Sequence, residues 1–134
     1  MARRPEISEE RLTFTVTHGS TTADATDKFW IVPAGRSFRV DSAKYINPTG
    51  LARDDSNFFE VAVKKGSTTM ASLNTGPVAG AGAAIAADTF TALTLSATEA
   101  NQVAAADDVL SLVLDETGTA TLPAGRIVVE GRLL

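Results

Sequence analysis

Apolar and polar side chains alternate along two stretches of the chain. In residues 11–17, Leu12, Phe14 and Val16 alternate with threonines. In residues 58–64, three apolar residues (Phe59, Val61 and Val63) alternate with Glu60, Ala62 and Lys64. A period of two places every second side chain on the same face, which is typical of a half-buried β-strand. Both stretches are therefore predicted strands.

Further short apolar or extended runs follow at similar intervals, separated by turn residues rich in Gly, Pro, Asn and Asp. The predicted strands are residues 28–32, 37–46, 69–73, 89–95, 109–114, 119–122 and 126–133, with 109–114 in the centre of a sheet. Ser96 and Glu99 have the spacing of a capping box, which predicts one short helix near residues 97–103. Long helices between strands are not predicted, so the pattern does not indicate an α/β fold.

About eight short strands and one short helix predict an all-β chain folded as a single β-sandwich domain, jelly-roll-like, over residues 11–134. The charged residues 1–10 are predicted to form a flexible N-terminal arm. The tetrapeptide Pro-Ala-Gly-Arg occurs twice, at residues 33–36 and 123–126, each time just before a strand. Proline suits the second position of a type I turn and glycine the fourth, so both strands are expected to begin after the same tight turn.

Composition narrows the classes of function. The 134 residues include no cysteine, which excludes disulfides and thiolate metal sites. A formal net charge of −4 argues against a nucleic-acid partner, because phosphates require a cationic face. No apolar run reaches the ~18 residues of a membrane span, and residues 1–10 lack the apolar centre of a secretory signal. We therefore expect a protein of the cytoplasm, or of something assembled there, without a membrane partner.

The residues offer no arrangement typical of catalysis. His18 is the only histidine, and it is expected to be solvated in a polar loop because no nucleophile motif accompanies it. Three acidic pairs are expected to be solvated turn carboxylates rather than a metal site: Asp54-Asp55, Asp107-Asp108 and Asp115-Glu116. The glycines of residues 76–85 lack the strand and helix of a dinucleotide site. No enzyme activity, cofactor or metal is therefore predicted.

Three features of the sequence are instead typical of a protein that associates with other molecules. The arm is long enough to reach a neighbouring molecule, residues 78–87 carry no charge, and the sequence closes on two leucines. Residues 1–17 and the loop at 74–88 are predicted to contact other subunits. The residues predicted for this interface are Arg3, Arg4, Ile7, Leu12, Val78, Ala81, Ile85 and Leu133. Most aromatic residues are expected in the core, although Trp30 or Tyr45 could instead form a platform for a sugar or a base.

Two runs resemble a known family. Residues 29–40 (FWIVPAGRSFRV) with 45–51 (YINPTGL), and residues 109–126 (VLSLVLDETGTATLPAGR), are similar to head decoration, or capsid cement, proteins of tailed bacteriophages. The likeness covers roughly residues 28–134 and rests on turns and strands.

The resemblance implies a jelly-roll-like sandwich that is assembled in the bacterial host cytoplasm and sits on the capsid exterior of the virion. There it would bind the major capsid protein and cement adjacent copies. It also implies self-association, as a homotrimer or alternatively a dimer. A fibre or tail-associated module that binds a glycan or receptor is the alternative. A cupin-like enzyme would need several histidines to hold its metal, and this chain has one.

Overall fold

The computed structural model describes residues 10–76 and 82–134, and this part of the chain is almost entirely β-structure. The described strands are β1 (Glu10–His18), β2 (Ala25–Ile31), β3 (Phe38–Ile46), β4 (Phe58–Lys65), β5 (Thr68–Asn74), β6 (Thr91–Ala92), β7 (Thr94–Leu95), β8 (Val103–Ala104), β9 (Val109–Thr117) and β10 (Gly125–Leu133). A single turn of 3₁₀-helix, Glu99–Gln102, lies between β7 and β8. The predicted all-β fold is confirmed.

The strands pair as if one long hairpin had been folded over. β1 pairs with β10, β2 with β9, β3 with β6 and β8, and β4 with β5, all antiparallel. Contacts of β10 with β3 and of β9 with β4 then join these pairs into two sheets. The first sheet has the order β1-β10-β3-β6, with β8 also on β3, and the second has the order β2-β9-β4-β5-β7. This pairing scheme is that of a jelly-roll sandwich, as predicted.

The alternation read from the sequence decides which face of each strand is buried. In β1 the side chains of Leu12, Phe14 and Val16 are half-buried, and the threonines between them are exposed. The predicted central strand lies in β9, between β2 and β4, with Leu110, Leu112 and Leu114 fully buried. The core between the sheets also contains three of the largest fully buried side chains, Phe38, Tyr45 and Phe59.

Two predicted strands are corrected by the structure. Residues 89–95 do not form one strand, because the chain crosses from one sheet to the other at Leu93. Thr91–Ala92 joins the first sheet and Thr94–Leu95 the second, while the buried Leu93 donates its N–H to Ala43 O at 2.8 Å. Residues 119–122 form only a bridge between Leu122 and Thr21.

The predicted helix is shorter than expected and begins differently. Glu99–Gln102 is 3₁₀-helical, and Thr98 is the N-cap residue without a side-chain cap hydrogen bond. Ser96 Oγ instead accepts hydrogen bonds from the Thr98 N–H and from Asn101 Nδ2, each at 3.3 Å. The capping box is therefore not formed, because Ser96 lies two residues before the helix cap and stabilises the preceding turn.

The repeated Pro-Ala-Gly-Arg sequence adopts two different conformations, which corrects the expectation of one shared turn. In the first copy, Arg36 N–H donates to Pro33 O at 3.2 Å and Gly35 has φ +73°, so glycine occupies the third position of the turn. In the second copy, Gly125 has no positive φ and begins β10. A Cβ there would lie 2.5 Å from Ile46 O. Gly35 is thus required for the positive φ of its turn, and Gly125 for the close packing of β10 against Ile46.

Candidate binding surfaces

The start of β1, where the predicted arm joins the sandwich, and the described part of the 74–88 loop lie at opposite ends of the molecule. β1 runs from Glu10, which pairs with Leu133, to His18, which pairs with Gly125. Asp88, in the loop before β6, donates its N–H to Asn47 O at 2.8 Å, at the His18 end of the molecule. A nine-residue strand is roughly 30 Å long. The length of the sandwich therefore separates the start of β1 from the described part of the 74–88 loop.

A cleft of about 440 Å³, termed here the end cleft, opens at the His18 end. Its lining residues are Thr17, His18, Ile46, Asn47, Pro48, Asp88, Ala124, Gly125 and Arg126. The ring of Phe90 is 40% exposed and has two cations above it. Lys44 Nζ lies 4.8 Å and Arg126 Cζ 5.7 Å from the ring centroid, within the range of cation–π attraction.

His18 is buried at the base of the end cleft, which corrects its prediction as a solvated loop residue. It is 9% exposed, and its Nδ1 lies 2.8 Å from Gly19 O. Because a carbonyl oxygen only accepts, Nδ1 donates to Gly19 O, and Nε2 lies 2.7 Å from the Tyr45 hydroxyl oxygen, within hydrogen-bond distance. Asn47 Nδ2 donates to the same hydroxyl oxygen at 3.4 Å. This network joins the ends of β1 and β3, which gives His18 a structural role.

Burial raises the pKa of the Tyr45 hydroxyl above its usual value of 10.0, and the hydrogen bond from Asn47 opposes the rise. Tyr45 is the only tyrosine, so phenolate absorbance reports it alone. We expect the native protein to titrate above pH 10.0 and the urea-unfolded protein close to it. Since the folded state favours the neutral phenol, the Tyr45 contribution to the free energy of unfolding is complete below pH 10.0 and decreases as the pH rises through the folded-state pKa.

The matched control for this titration is Tyr45→Phe, which removes the phenolate signal and this part of the pH dependence of unfolding. A native titration midpoint at or below that of the unfolded chain would contradict the expectation.

The edge strands of the two sheets, β1 and β2, meet along one lateral side of the sandwich. Here Phe14 packs against Phe29 and Trp30, with ring centroids 5.5 and 4.8 Å apart, and all three are half-buried. These three residues are termed here the lateral aromatic cluster. Ile31 beside it is 59% exposed and lines a shallow cleft with residues 28–30 and Val109. Tyr45, by contrast, is fully buried, so the predicted surface platform at that residue is wrong.

The structure places the predicted interface residues as follows. Leu12 is half-buried on β1. Ile85 and Leu133 are 3% and 6% exposed, because Ile85 lies beside Leu51 in a β-bridge and Leu133 lies in β10 between β1 and β3. Their side chains thus pack in the core rather than at the surface of the isolated chain. Arg3, Arg4, Ile7, Val78 and Ala81 lie outside the described residues.

Three of the six carboxylates in the predicted acidic pairs have local partners. Asp54 accepts from the N–H groups of Ser56 and Asn57 at 2.8 and 2.9 Å, and these bonds lower its pKa. Asp55 pairs with Arg53 at 2.8 Å, and Asp108 accepts from Ala105 N–H. Asp115 and Glu116 lie on β9 rather than in a turn, which corrects their placement. Residues 10–76 and 82–134 contain no group of three His, Asp or Glu residues able to hold a metal ion.

Within the part of the chain that the structure describes, no helix is long and apolar enough to cross a membrane. Comparison of the chain with protein-family models, with curated proteins and with solved structures found no match.

Proposed function

We propose that the chain is a structural virion protein that binds the outer surface of a bacteriophage capsid. There it links adjacent major capsid proteins against the outward pressure of packaged DNA. The resemblance of residues 29–40, 45–51 and 109–126 to decoration proteins supports the choice of a capsid as partner. The observation that carries the linking role is geometric. The start of β1, where the predicted arm joins the sandwich, and the described part of the 74–88 loop lie at opposite ends of the sandwich, roughly 30 Å apart.

Linking follows from this geometry by effective concentration. Once one end of the sandwich binds a capsid subunit, the other end is held close to the neighbouring subunit, and the second contact becomes intramolecular. Two modest contacts then give an overall affinity about 10²–10⁴ times that of either alone. The sandwich itself resists stretching, because β1, β10 and β3 are hydrogen-bonded along most of their length.

The proposal is tested by mixing the purified protein with mature capsids that lack it. We expect saturating, ordered occupancy and a higher temperature of head disruption. Two variants remove one contact each: deletion of residues 1–9, and the double substitution Ala84→Glu/Ala86→Glu on exposed loop positions. Each is expected to weaken binding by about 100-fold, because bivalency is lost, and to remove the gain in head stability.

The control variant is Ala92→Glu, an exposed alanine on β6 that lies opposite Lys44 and outside both segments predicted for contact. It is expected to bind and stabilise heads as the parent does. Unchanged occupancy and head stability in both end variants would overturn the linking role, and absence of any capsid binding would overturn the proposal.

The alternative function, a fibre or tail module that binds a glycan, predicts a different result. Of the two residues predicted as platforms, Tyr45 is fully buried, whereas Trp30 is half-buried in the lateral aromatic cluster and reaches the surface. Binding on a glycan array that is lost in Trp30→Ala, together with no binding to capsids, would favour that alternative.

A further inference from the structure

The outer edge of β1 has no partner among the described residues. β1 pairs with β10 along one side, and residues 10–76 and 82–134 contribute no strand to the other. In an antiparallel ladder, alternate residues direct both backbone N–H and C=O groups away from their partner. This edge, termed here the β1 edge, therefore presents a row of free donors and acceptors over nine residues.

The β1 edge lacks the features that keep other sheet edges from pairing. Edge strands are usually protected by short length, bulges, prolines or lysines. β2 has an irregular register between Lys28 and Trp30 and exposes both Asp27 and Lys28, while β6, β7 and β8 are two residues long. β1 keeps a regular register with β10 from Glu10 to His18 and contains neither proline nor lysine. It is thus an edge suited to continued pairing.

The apolar row behind this edge is also incompletely covered. Leu12, Phe14 and Val16 point toward the interior but remain half-buried, whereas the inward residues of β10 and β3 are buried. Phe14 marks the middle of this row and contacts Trp30 of the lateral aromatic cluster. A further strand beside β1 would cover these side chains, and that burial would add to the backbone hydrogen bonds.

We propose that the β1 edge pairs antiparallel with the β1 edge of a second copy of this chain, about a two-fold axis at Phe14. The sequence of β1 is complementary to itself in this register. Leu12 lies opposite Val16 of the second copy and Thr13 opposite Thr15, so apolar residues face apolar residues and threonines face threonines, a favourable cross-strand pair.

The charges agree with the same register. Glu10 lies opposite His18 and Arg11 opposite Thr17, so no like charges face each other across the seam. A shift of the register by two residues keeps each side chain on the same face of the sheet. It sets Glu10 opposite Val16 in one direction and Leu12 opposite His18 in the other, so an apolar residue then faces a polar one. Self-complementarity of this kind favours a second copy over an unrelated strand. The resulting assembly is a two-fold dimer with one continuous first sheet, rather than the trimer favoured by the resemblance.

Mass and hydrogen exchange of the full-length protein test the dimer. Light scattering after size exclusion is expected to give twice the 14.0 kDa of one chain. The backbone amides of residues 12–16 are expected to be protected without alternation, because both edges of β1 are then paired. A monomer at all accessible concentrations, or a dimer in which alternate β1 amides still exchange rapidly, would overturn the proposal.

Two double variants identify the register. In Thr13→Lys/Thr15→Lys, the lysine introduced at position 13 lies opposite the lysine introduced at position 15 of the second copy. The two-fold axis repeats this contact between like charges, so we expect a monomer. Thr13→Lys/Thr15→Glu changes the same positions but sets each lysine opposite a glutamate, and we expect the dimer to persist. Both variants carry the same lysine at position 13, opposite Glu130 of the same chain, so the effect of this substitution on the stability of the monomer is the same in both. Equal masses for the two variants would overturn this register. None of these measurements depends on capsid binding, so the outcome is separate from that of the proposed function.

Discussion

Phe38→Ala is expected to lower the free energy of unfolding by about 3–5 kcal/mol, the usual cost of removing a fully buried aromatic ring. Phe38 is 0% exposed and lies at the start of β3, where its ring packs edge-on against Phe14 and Trp30 at 5.8 and 5.3 Å. Its loss leaves a cavity between the two sheets and removes contacts to both edge strands. For a domain whose total stability is typically about 5–15 kcal/mol, such a loss is a large fraction.

Urea unfolding monitored by the fluorescence of Trp30, the only tryptophan, measures this loss. The matched control is Phe90→Ala, because Phe90 is 40% exposed and its contacts are with cations on one side. That substitution is expected to cost no more than about 1 kcal/mol. Similar losses for the two phenylalanines would mean that Phe38 does not occupy the core position described.

Gly131→Ala is expected to cost about 3 kcal/mol, near the upper end of the range for overpacked positions. Gly131 lies in β10 where the register with β3 is irregular, and a Cβ there would meet both Arg39 O and Cζ of Phe38 at 2.3 Å. The carbonyl belongs to the backbone of a central strand and the ring is fully buried, so neither can move without disturbing the first sheet.

The control for this substitution is Gly19→Ala. Gly19 follows β1 and has no atom within 4 Å of the position that a Cβ would occupy. Its replacement is expected to change the free energy of unfolding by no more than about 0.5 kcal/mol. If Gly131→Ala were equally silent, the close approach of β10 to β3 would be contradicted.

The strands that could be predicted from the sequence are those with a regular pattern of apolar side chains. Alternation located β1 and β4, and the apolar run of residues 109–114 located the central strand β9. The same alternation contained a signal for His18 that the sequence analysis missed. His18 continues the inward series of Leu12, Phe14 and Val16, and this series predicts a buried histidine at the end of β1.

Features set by contacts distant in sequence were not predictable. The division of residues 89–95 between two sheets depends on where Leu93 enters the core and on its bond to Ala43. The two copies of the Pro-Ala-Gly sequence differ because Gly125 is packed against Ile46 and Tyr45, which no local rule indicates. Burial of Ile85 and Leu133 likewise follows from their strand partners rather than from their neighbours in the sequence.

Pairing of β1 with β10 also determines when the protein can fold during its synthesis. β1 is made long before its described partner in the first sheet, β10, which is the last of the described strands in chain order. β2 similarly waits for β9, whereas the described strands β4 and β5 form a hairpin of neighbouring segments. Pairing between distant segments is slow, because a long loop must close before any contact is gained. A nascent chain therefore exposes the apolar row of β1 until β10 has left the ribosome, so cells that make it quickly should depend on chaperones to keep it from aggregating.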